Sequence, residues 1–219
     1  MTDKYVEYFK NVETGCITDA MNLAGVHVGW MEGIYPTHPE MRLCGRAFTV
    51  QYETVRNPEQ KKYSMYDIFD MCQPGDIVVV ASYNPRAMVG DNMMMALKNK
   101  KLGGMVLDGR TRDSLAIAKL GIPQFTAGRA IGVANHDFKI TAFNVPIMCG
   151  HVRVEPGDYV IGDCDGVIAL AACNVEQVKY QCEKAVEYEE KLAVALKNNV
   201  SMSEFSAIYQ EKNTPRALQ

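Results

Sequence analysis

Apolar positions in the centre of the chain form short runs that predict a strand, a helix and a second strand. Residues 77–81 are a continuous run of mostly β-branched residues, and residues 104–107 are a second short apolar run that begins at a glycine. Such runs are typical of parallel strands that are covered on both faces. Between them Asp91 precedes a segment of good helix formers, so we expect a helix that begins with Asp91 as its N-cap.

The rest of the pattern predicts an α/β core with helices at both ends of the chain. Predicted helices are 4–12, a short helix capped by Thr18 and Asp19 that ends near Gly25, 62–71, 114–120, 175–198 and 203–211. Further predicted strands are 42–52, 122–126, 139–143, 146–149, 151–155, 159–162 and 167–171. We expect a single domain over residues 1–219, with N-terminal helices in 1–25, the α/β core in 42–171 and a C-terminal helical arm in 175–211.

The segments between these elements are predicted to be turns and loops. Residues 82–89 are expected to be a loop that leads into Gly90, and residues 163–166 a β-turn, although Asp163 and Asp165 alone resemble part of a calcium loop. Residues 27–41 show little periodicity, and the segment 129–143 begins in a polar loop. We expect these two segments to shape the part of the site that holds the far end of a substrate.

Composition is ordinary for a soluble globular protein and narrows the function only by exclusion. The chain has 219 residues, of which 47% are hydrophobic and 22% charged, with a net charge of −3. It has no dense basic patch, so nucleic-acid binding is not expected. Seven cysteines without a CxxC pair predict neither a disulfide framework nor a zinc site. Neither a signal region nor a membrane-length apolar run is apparent, which favours a cytoplasmic protein without a membrane partner.

Candidate chemistry gathers where the second apolar run ends and where the helix at Asp91 begins. Asp108, Arg110, Arg112 and Asp113 follow the run, and in βαβ units ligands bind at the carboxyl ends of the strands. The backbone N–H groups at a helix start suit a small anion such as a carboxylate. An arginine next to an aspartate offers a fork for a carboxylate beside an oxygen ligand for a hard cation, which suits a metal-assisted reaction on a 2-oxo acid.

Each of these residues also has a purely structural explanation. Asp91 would serve as a simple helix cap, which is the commoner use of aspartate there. Arg112 and Asp113 would form an exposed pair of little energetic consequence, and Asp108 would shape a turn with Gly109. Pattern alone leaves both explanations open.

A family resemblance adds to this pattern. The spacing of twenty residues between Asp91 and the Arg112-Asp113 pair, with Gly90 in front, resembles that of class II 4-hydroxy-4-methyl-2-oxoglutarate aldolases and the regulator of ribonuclease activity A. The resemblance continues in family order over five further segments: ITDAMNLAG (17–25), LCGRAFTV (43–50), QPGDIVVV (73–80), LGIPQFTAG (120–128) and VEPGDYVIGDCDGVIAL (154–170). It implies an α/β fold, an RraA-like ββα sandwich resembling the phosphohistidine swivelling domain, here with a long C-terminal helix.

For the site, the resemblance implies a small 2-oxo acid substrate and a divalent cation, Mg²⁺ or else Mn²⁺ or another ion. Asp113 would bind the cation, and the helix start at Gly90, Asn92 and Met93 would bind the substrate carboxylate. Arg112 would hold the 2-oxo oxygen, and Asp91 would hold a water molecule that carries the proton of the 4-hydroxyl group. The products would be pyruvate by retro-aldol cleavage or by decarboxylation of oxaloacetate.

The resemblance also implies a homotrimer or hexamer with active sites at subunit interfaces. A glutamate on a neighbour's late helix would join the site, and Glu189 and Glu190 are both candidates here. The alternative function within the same family is non-catalytic, namely binding to a ribonuclease of the E type and regulating it. The long C-terminal helix favours the aldolase side. No glycine-rich loop with a following acidic residue suits the nucleoside cofactor of a methyltransferase.

Overall fold

The computed structural model describes residues 3–57 and 63–215, which form two compact units. Of these, residues 3–28 and 173–215 belong to a helical unit, and residues 29–57 and 63–172 belong to a sheet unit. The predicted N-terminal helices and C-terminal arm fall in the first unit, and the predicted core falls in the second. That the two units make one domain stays a prediction.

The predicted α/β class and the long C-terminal helix are confirmed. In chain order the helices are α1 (Lys4–Phe9), α2 (Thr14–Leu23), α3 (Met65–Met71), α4 (Asp91–Asn99), α5 (Ser114–Leu120), α6 (Val175–Lys197) and α7 (Met202–Lys212). The strands are β1 (Gly29–Trp30), β2 (Tyr35–Pro36), β3 (Leu43–Thr54), β4 (Ile77–Val89), β5 (Gly104–Thr111), β6 (Gln124–Thr126), β7 (Phe138–Phe143), β8 (Ile147–Cys149), β9 (Val152–Val154), β10 (Tyr159–Asp163) and β11 (Gly166–Leu170).

The sheet unit is built on four parallel strands. The large sheet has the order β1-β11-β10-β3-β4-β5-β6-β2, and β7 also pairs with β3. Strands β3, β4, β5 and β6 run parallel, while the other pairings are antiparallel. Helices α3, α4 and α5 connect the four parallel strands in turn, as βαβ units require. The carboxyl ends of β4 and β5 therefore lie side by side, each followed by a helix.

The apolar runs that predicted the central strands form the core of the sheet unit. Residues 77–81 and 105–107 are fully buried. Each large apolar side chain that is removed from water in this way contributes roughly 1.5–3 kcal/mol. Helix α3 begins with a capping box in which Ser64 and Asp67 satisfy each other's backbone N–H groups. The central strands are thus anchored firmly, and their carboxyl ends form a fixed platform.

The helical unit buries one face of the long helix α6 along the spacing that the sequence predicted. Val178, Cys182 and Ala185 are fully buried. Gln177 of α6 donates a hydrogen bond of 3.0 Å to the carbonyl of Ala24, just after α2. None of the helices among residues 3–57 and 63–215 is both long and apolar enough to cross a membrane.

Several element boundaries differ from the prediction. Thr18 and Asp19 lie inside α2 rather than at its start, because the helix already begins at Thr14 after Glu13. Strand β4 continues through the predicted loop 82–89 as it pairs irregularly with β5. The predicted loop 27–41 contains the two short strands β1 and β2. Of the helix predicted for 62–71, residue 62 lies outside the described residues, and the observed helix begins at Met65.

Candidate functional site

The candidate site is formed where β4 and β5 end. The two strands pair in regular register from Ile77 opposite Gly104 to Ala81 opposite Asp108. After that the register shifts three times, until Val89 lies opposite Thr111. These irregularities lengthen β4 relative to β5, so the starts of α4 and α5 arrive at the same place. The site therefore depends on a strand irregularity that a hydrophobic pattern does not reveal.

Backbone and side-chain hydrogen bonds tie the end of β5 to the end of β4. The N–H of Arg112 donates to the carbonyl of Val89 at 3.0 Å. The hydroxyl of the fully buried Thr111 lies 3.0 Å from the same carbonyl oxygen. Arg112 is consequently held at a fixed distance from Gly90, the residue that follows Val89.

Asp113 sits at the turn between β5 and α5, as predicted. It is the N-cap of α5 and has a left-handed backbone conformation with φ 62° and ψ 29°. Aspartate tolerates this region better than most residues. Its Oδ2 lies 3.4 Å from the Nε of Arg112. Arg112 and Asp113 thus lie side by side, and both side chains are partly exposed to solvent.

Gly90 is required because of the space that it leaves for Asp113. A Cβ atom at position 90 would lie 2.6 Å from Oδ2 of Asp113 and 3.5 Å from Nε of Arg112. The backbone φ of Gly90 is −133°, which any residue adopts, so conformation does not demand a glycine here. The missing side chain lets the Asp113 carboxylate lie directly against the start of α4.

The start of α4 differs from the prediction by one position. Gly90 is the N-cap, and Asp91 is the first residue of the helix. The Asp91 carboxylate accepts a hydrogen bond of 2.8 Å from the N–H of Asn92. Asp91 therefore stays at the helix start, but it already engages one of the N–H groups that were expected to bind a substrate carboxylate.

All six predicted site residues line one small cavity of about 220 Å³. Its lining consists of Gly90, Asp91, Asn92, Met93, Arg112 and Asp113 together with Tyr66, Ala87, Met88, Val89 and Val133. Arg112 and Asp113 also line a second cavity of about 510 Å³. The other residues around that second cavity are Thr111, Ser114, Arg129, Ala130 and Ile131. The predicted residues thus come together, and a larger space adjoins them.

A segment that carries no periodic signal forms one wall of both cavities. Residues 128–134, here called the wall segment, form isolated parallel bridges to both strands, Arg129 with Thr111 and Val133 with Ala87. The prediction that 129–143 shapes the site thus agrees with the lining by residues 129–131 and 133. The other predicted segment, 27–41, does not line these cavities. Its residues His38, Glu40 and Met41 line a separate cavity of about 660 Å³ beside α5.

Asp108 and Arg110, two further candidates from the sequence, have structural roles. Strand β5 continues to Thr111, so Asp108 lies inside the strand and is buried rather than in a turn. Its Oδ2 accepts a hydrogen bond of 2.9 Å from the N–H of Gly150. Nη1 of Arg110 donates to the carbonyl of Arg129 at 3.4 Å and so supports the wall segment. Neither residue lines the two cavities that share Arg112.

The donor set of the small cavity fits a hard cation that keeps part of its water shell. Two carboxylate residues, Asp91 and Asp113, line this cavity. Mg²⁺ is usually held by one or two carboxylates together with waters and substrate oxygens, so a cage of protein ligands is not needed. The Asp113 carboxylate lies beside Gly90, in the space that a Cβ atom at position 90 would fill.

A second group of candidate metal ligands is better explained as a turn. Within the described part of the chain, Asp163, Cys164 and Asp165 form the only cluster of three or more His, Cys, Asp or Glu side chains whose ligand atoms lie within 4.8 Å of one another. They connect β10 to β11, and Asp163 accepts a hydrogen bond of 3.0 Å from the N–H of Asp165. The negative charge of Asp165 raises the pKa of the exposed Cys164 thiol, which opposes formation of a thiolate ligand.

The two candidate glutamates of the late helix have different surroundings within the helical unit. Glu189 Oε1 is 2.5 Å from the Nζ of Lys212, which is also 3.5 Å from Oδ2 of Asp19. Burial lowers the pKa of Lys212, but the hydrogen bond to Glu189 and the charge of Asp19 outweigh it and raise the pKa overall. Glu190 instead lines an open cavity beside Val194.

Comparisons with known proteins agree on one family. A family model described as RraA-like, Aldolase/RraA, matches residues 14–169. A protein of Halalkalibacterium halodurans named "Putative 4-hydroxy-4-methyl-2-oxoglutarate aldolase" is 32% identical over 198 residues, which cover 90% of each chain.

Solved structures show the same fold at lower sequence identity. An uncharacterized protein from Pseudomonas syringae pv. tomato has a TM-score of 0.81 at 22% identity, covering 94% of this chain and 98% of that one. RraAS2 of Streptomyces coelicolor, described as an unusual member of the RNase ES inhibitor RraA protein family, has a TM-score of 0.78 at 24% identity. That match covers 87% of this chain and 96% of RraAS2.

Proposed function

This chain belongs to the RraA-like family, and on that premise we propose that it is a divalent-metal-dependent lyase that forms pyruvate from a 2-oxo acid. The substrate is of the 4-hydroxy-4-methyl-2-oxoglutarate type, with oxaloacetate as a second substrate. The observation that supports this proposal most strongly is the convergence of Asp91, Arg112 and Asp113 on one cavity at the start of α4. The H. halodurans relative carries the name of such an aldolase.

The chain binds the 2-oxo end of the substrate with a helix start and an arginine. The first N–H groups of α4, at Asn92 and Met93, carry partial positive charge and receive the 1-carboxylate, which displaces the Asp91 carboxylate from the N–H of Asn92. The Arg112 guanidinium donates hydrogen bonds to the 2-oxo oxygen. Asp113, which lies 3.4 Å from Arg112, keeps that guanidinium oriented.

Asp113 would hold the divalent cation, directly or through water, and Asp91 lines the same cavity. When it is bound, the cation supplies Lewis acidity that stabilises negative charge on the 2-oxo oxygen. Arg112 acts on the same oxygen, so its hydrogen bonds strengthen as that charge develops. Donors fixed where charge appears are often the largest single contribution to catalysis.

Asp91 acts as the general base and then as the general acid of the reaction. Through a water molecule it removes the proton of the 4-hydroxyl group, the C3–C4 bond breaks, and C4 becomes the carbonyl carbon of one product. The electron pair of that bond moves into the enolate of pyruvate, whose oxygen is held by Arg112. Asp91 then returns the proton, through water, to C3. In oxaloacetate the same bond breaks, and C4 leaves as CO₂.

We further propose that the site is completed by a neighbouring copy of the chain in a trimer or hexamer. Three large apolar side chains near the cavities are exposed to solvent: Leu115 (83% exposed), Ile131 (95%) and Val133 (58%). Surfaces of this kind mark contact sites. Glu190 is better placed than Glu189 to reach a neighbour, because Glu189 is already paired with Lys212 within its own chain.

Pyruvate release tests the proposal directly. It is measured from 4-hydroxy-4-methyl-2-oxoglutarate and from oxaloacetate, with Mg²⁺, with Mn²⁺ and with EDTA, for the parent protein, Arg112→Ala and Asp113→Ala. We expect metal-dependent release that Arg112→Ala lowers roughly a hundredfold or more in kcat, as for other oxyanion donors. Arg153→Ala is the matched control, because Arg153 is an exposed arginine that pairs with Glu155 away from these cavities.

Two results would contradict the proposal. One is folded protein that releases no pyruvate from either substrate with any divalent ion. The other is release that persists in EDTA or in the Asp113 variant. Absence of release would favour the non-catalytic function, which binding to a ribonuclease of the E type would then test.

A further inference from the structure

The larger cavity beside the proposed site contains a second arginine. Arg129 lines the space of about 510 Å³ that also includes Arg112 and Asp113. Because Arg112 and Asp113 line the smaller cavity as well, a ligand held there by its 2-oxo end would extend towards Arg129. Arg129 is thus a positively charged residue in the space next to the proposed site of the 2-oxo end.

The backbone of Arg129 is fixed relative to the catalytic groups. The carbonyl of Gly128 accepts from the N–H of Thr111 at 3.0 Å, and the N–H of Ala130 donates to the carbonyl of Thr111 at 2.9 Å. Both neighbours of Arg129 are therefore bonded to Thr111 of β5. Arg129 lies opposite Thr111, the residue that precedes Arg112. Nη1 of Arg110 also donates a hydrogen bond of 3.4 Å to the carbonyl of Arg129.

The far end of the wall segment is anchored in the same way. The N–H of Ala87 donates to the carbonyl of Gly132 at 2.7 Å, and the N–H of Ala134 donates to the carbonyl of Ala87 at 3.0 Å. A backbone anchored at both ends does not have to be ordered when a ligand binds, which lowers the entropy cost of binding and favours a recognition role.

Charge in the larger cavity favours an anion. Its charged lining residues are Arg112, Arg129 and Asp113, so positive charge is in excess even before a divalent cation is present. The Asp113 carboxylate already lies beside Arg112, whereas Arg129 forms no ion pair among the residues that the structure describes. Arg129 is therefore the group with the most remaining capacity for a carboxylate, which its planar fork binds in bidentate fashion.

We propose that Arg129 binds the second carboxylate of the substrate and so selects dicarboxylic 2-oxo acids for aldol cleavage. The proposal rests on the proposed function for the position of the 2-oxo end. In 4-hydroxy-4-methyl-2-oxoglutarate the second carboxylate is C5, attached to C4. It remains a carboxylate throughout the cleavage, as that of the second pyruvate, so Arg129 binds it equally in substrate and transition state.

In oxaloacetate decarboxylation, binding of the second carboxylate by Arg129 would oppose the reaction. The second carboxylate of oxaloacetate is C4 itself, and it loses its negative charge as the C3–C4 electron pair moves towards C2 and CO₂ leaves. An arginine bound to C4 stabilises the ground state more than the transition state, which opposes this reaction. Arg129 should therefore favour aldol cleavage over decarboxylation.

Binding of unreactive analogues tests Arg129 independently of turnover. 2-Oxoglutarate has the five-carbon main chain of the proposed substrate without the 4-hydroxyl and 4-methyl groups, and 2-oxopentanoate replaces its far carboxylate by a methyl group. With Mg²⁺ present, calorimetry should show that the parent protein binds 2-oxoglutarate about ten- to a hundredfold more tightly, in line with a charge-assisted hydrogen-bonded pair. Arg129→Gln should remove this preference while leaving the affinity for 2-oxopentanoate unchanged, which also shows that the site is intact.

Arg86→Gln is the matched control for a general effect of charge. Arg86 is an exposed arginine whose Nη1 lies 3.9 Å from the position of a Cβ on Gly132, but it lines neither cavity. It should keep the preference for 2-oxoglutarate. An equal loss in both variants, or a preference that survives in Arg129→Gln, would overturn the assignment. Arg129→Lys should be intermediate, because lysine keeps the charge and loses the fork.

Turnover separates this inference from the proposed function. With the hydroxylated substrate, Arg129→Gln should raise KM about ten- to a hundredfold with little change in kcat, the signature of lost uniform binding. For oxaloacetate, kcat should stay level or rise. A fall in kcat for both substrates would overturn the inference. If no pyruvate is released at all but the binding preference depends on Arg129, the proposed function fails and the carboxylate site stands.

Discussion

The Asp113 carboxylate occupies the space that a side chain on Gly90 would need, with Oδ2 2.6 Å from the position of a Cβ. Real Cβ atoms do not approach an oxygen so closely, so any larger residue at position 90 must displace Asp113. This contact couples the start of α4 to the start of α5. The position of the Asp113 carboxylate therefore depends on residue 90 having no Cβ atom.

Gly90→Ala should therefore impair activity more than stability. The methyl group pushes the Asp113 carboxylate away from the cation site, and a misplacement of about 1 Å can cost roughly a hundredfold in turnover. The backbone at Gly90 needs no glycine conformation, so the melting temperature should change little. Pyruvate release and thermal unfolding, measured together, check this.

Gly15→Ala is the control for that substitution. A Cβ at Gly15 would meet no atom within 4 Å, and the residue lies in helix α2, where alanine is preferred over glycine. This variant should keep full activity with equal or higher stability. Full activity in Gly90→Ala would disprove the coupling of Gly90 to Asp113.

Thr111→Val should loosen the connection between β5 and β4. The Thr111 hydroxyl lies 3.0 Å from the carbonyl of Val89 and 3.2 Å from that of Arg112, and its single proton bonds to one of them. Valine keeps the shape and removes the bond, so unfolding should become easier by about 1 kcal/mol. Urea denaturation measures this, and kcat should fall because Arg112 loses support.

Thr141→Val provides the comparison on an exposed position of β7. Its stability should stay within about 0.5 kcal/mol of the parent protein, as for most surface substitutions. If both variants lose the same stability, the hydroxyl of Thr111 does not contribute through the buried bond.

Asp113→Asn should weaken binding of the divalent cation. The amide has nearly the same shape but lacks the charge, so the midpoint of Mg²⁺ or Mn²⁺ activation should rise at least about tenfold, as loss of even supporting groups around metals does. Asp165→Asn changes the exposed turn 163–166 by the same chemistry. Calorimetric titration with Mn²⁺ should be unaffected by that second variant, and the reverse result would assign the cation to the turn.

Lys212→Met should destabilise the helical unit at neutral pH but not in strong alkali. The partners of Lys212 outweigh its burial and raise its pKa above the ordinary 10.5, so the charged form favours the folded state. This stabilisation is fully present below the unfolded pKa and disappears as pH rises through the higher folded one. Because Asp19 and Glu189 are about half exposed, the difference should be roughly 1 kcal/mol or less.

The measurement is denaturant unfolding of both proteins between pH 7 and strong alkali, and the expected signal is a difference that shrinks above pH 10.5. Lys191→Met serves as the control, because Lys191 pairs with Glu187 on the exposed side of α6. It should have less effect than Lys212→Met. A difference that does not depend on pH would show that the Lys212 stem, rather than its charge, stabilises the unit.

Much of the fold follows from local pattern. The apolar run 77–81 and the glycine-bounded run from Gly104 predicted central strands because burial on both faces requires continuous hydrophobic residues. The spacing along α6 predicted its buried face, since a helix repeats every 3.6 residues. Family resemblance added the expectation that Asp91, Arg112 and Asp113 act together.

Local pattern misplaced residues wherever pairing between distant strands overrides it. Residues 82–89 are polar enough to predict a loop, yet β4 continues through them because β5 supplies hydrogen-bond partners. The same extension of β5 puts Asp108 in the interior, where it binds the N–H of Gly150. Such partners are far away in sequence, so no short window contains the information.

The sequence by itself determined the helices and the central strands of the α/β core and the residues that carry chemical groups, because periodicity and side-chain type are local properties. Only the tertiary structure decided that Asp113 packs against Gly90 and that Arg129 faces the same space as Arg112. The first depends on a register shift between β4 and β5, and the second on the bridge from the wall segment to Thr111. Both are set by hydrogen bonds between strands, which exist only after the chain has folded.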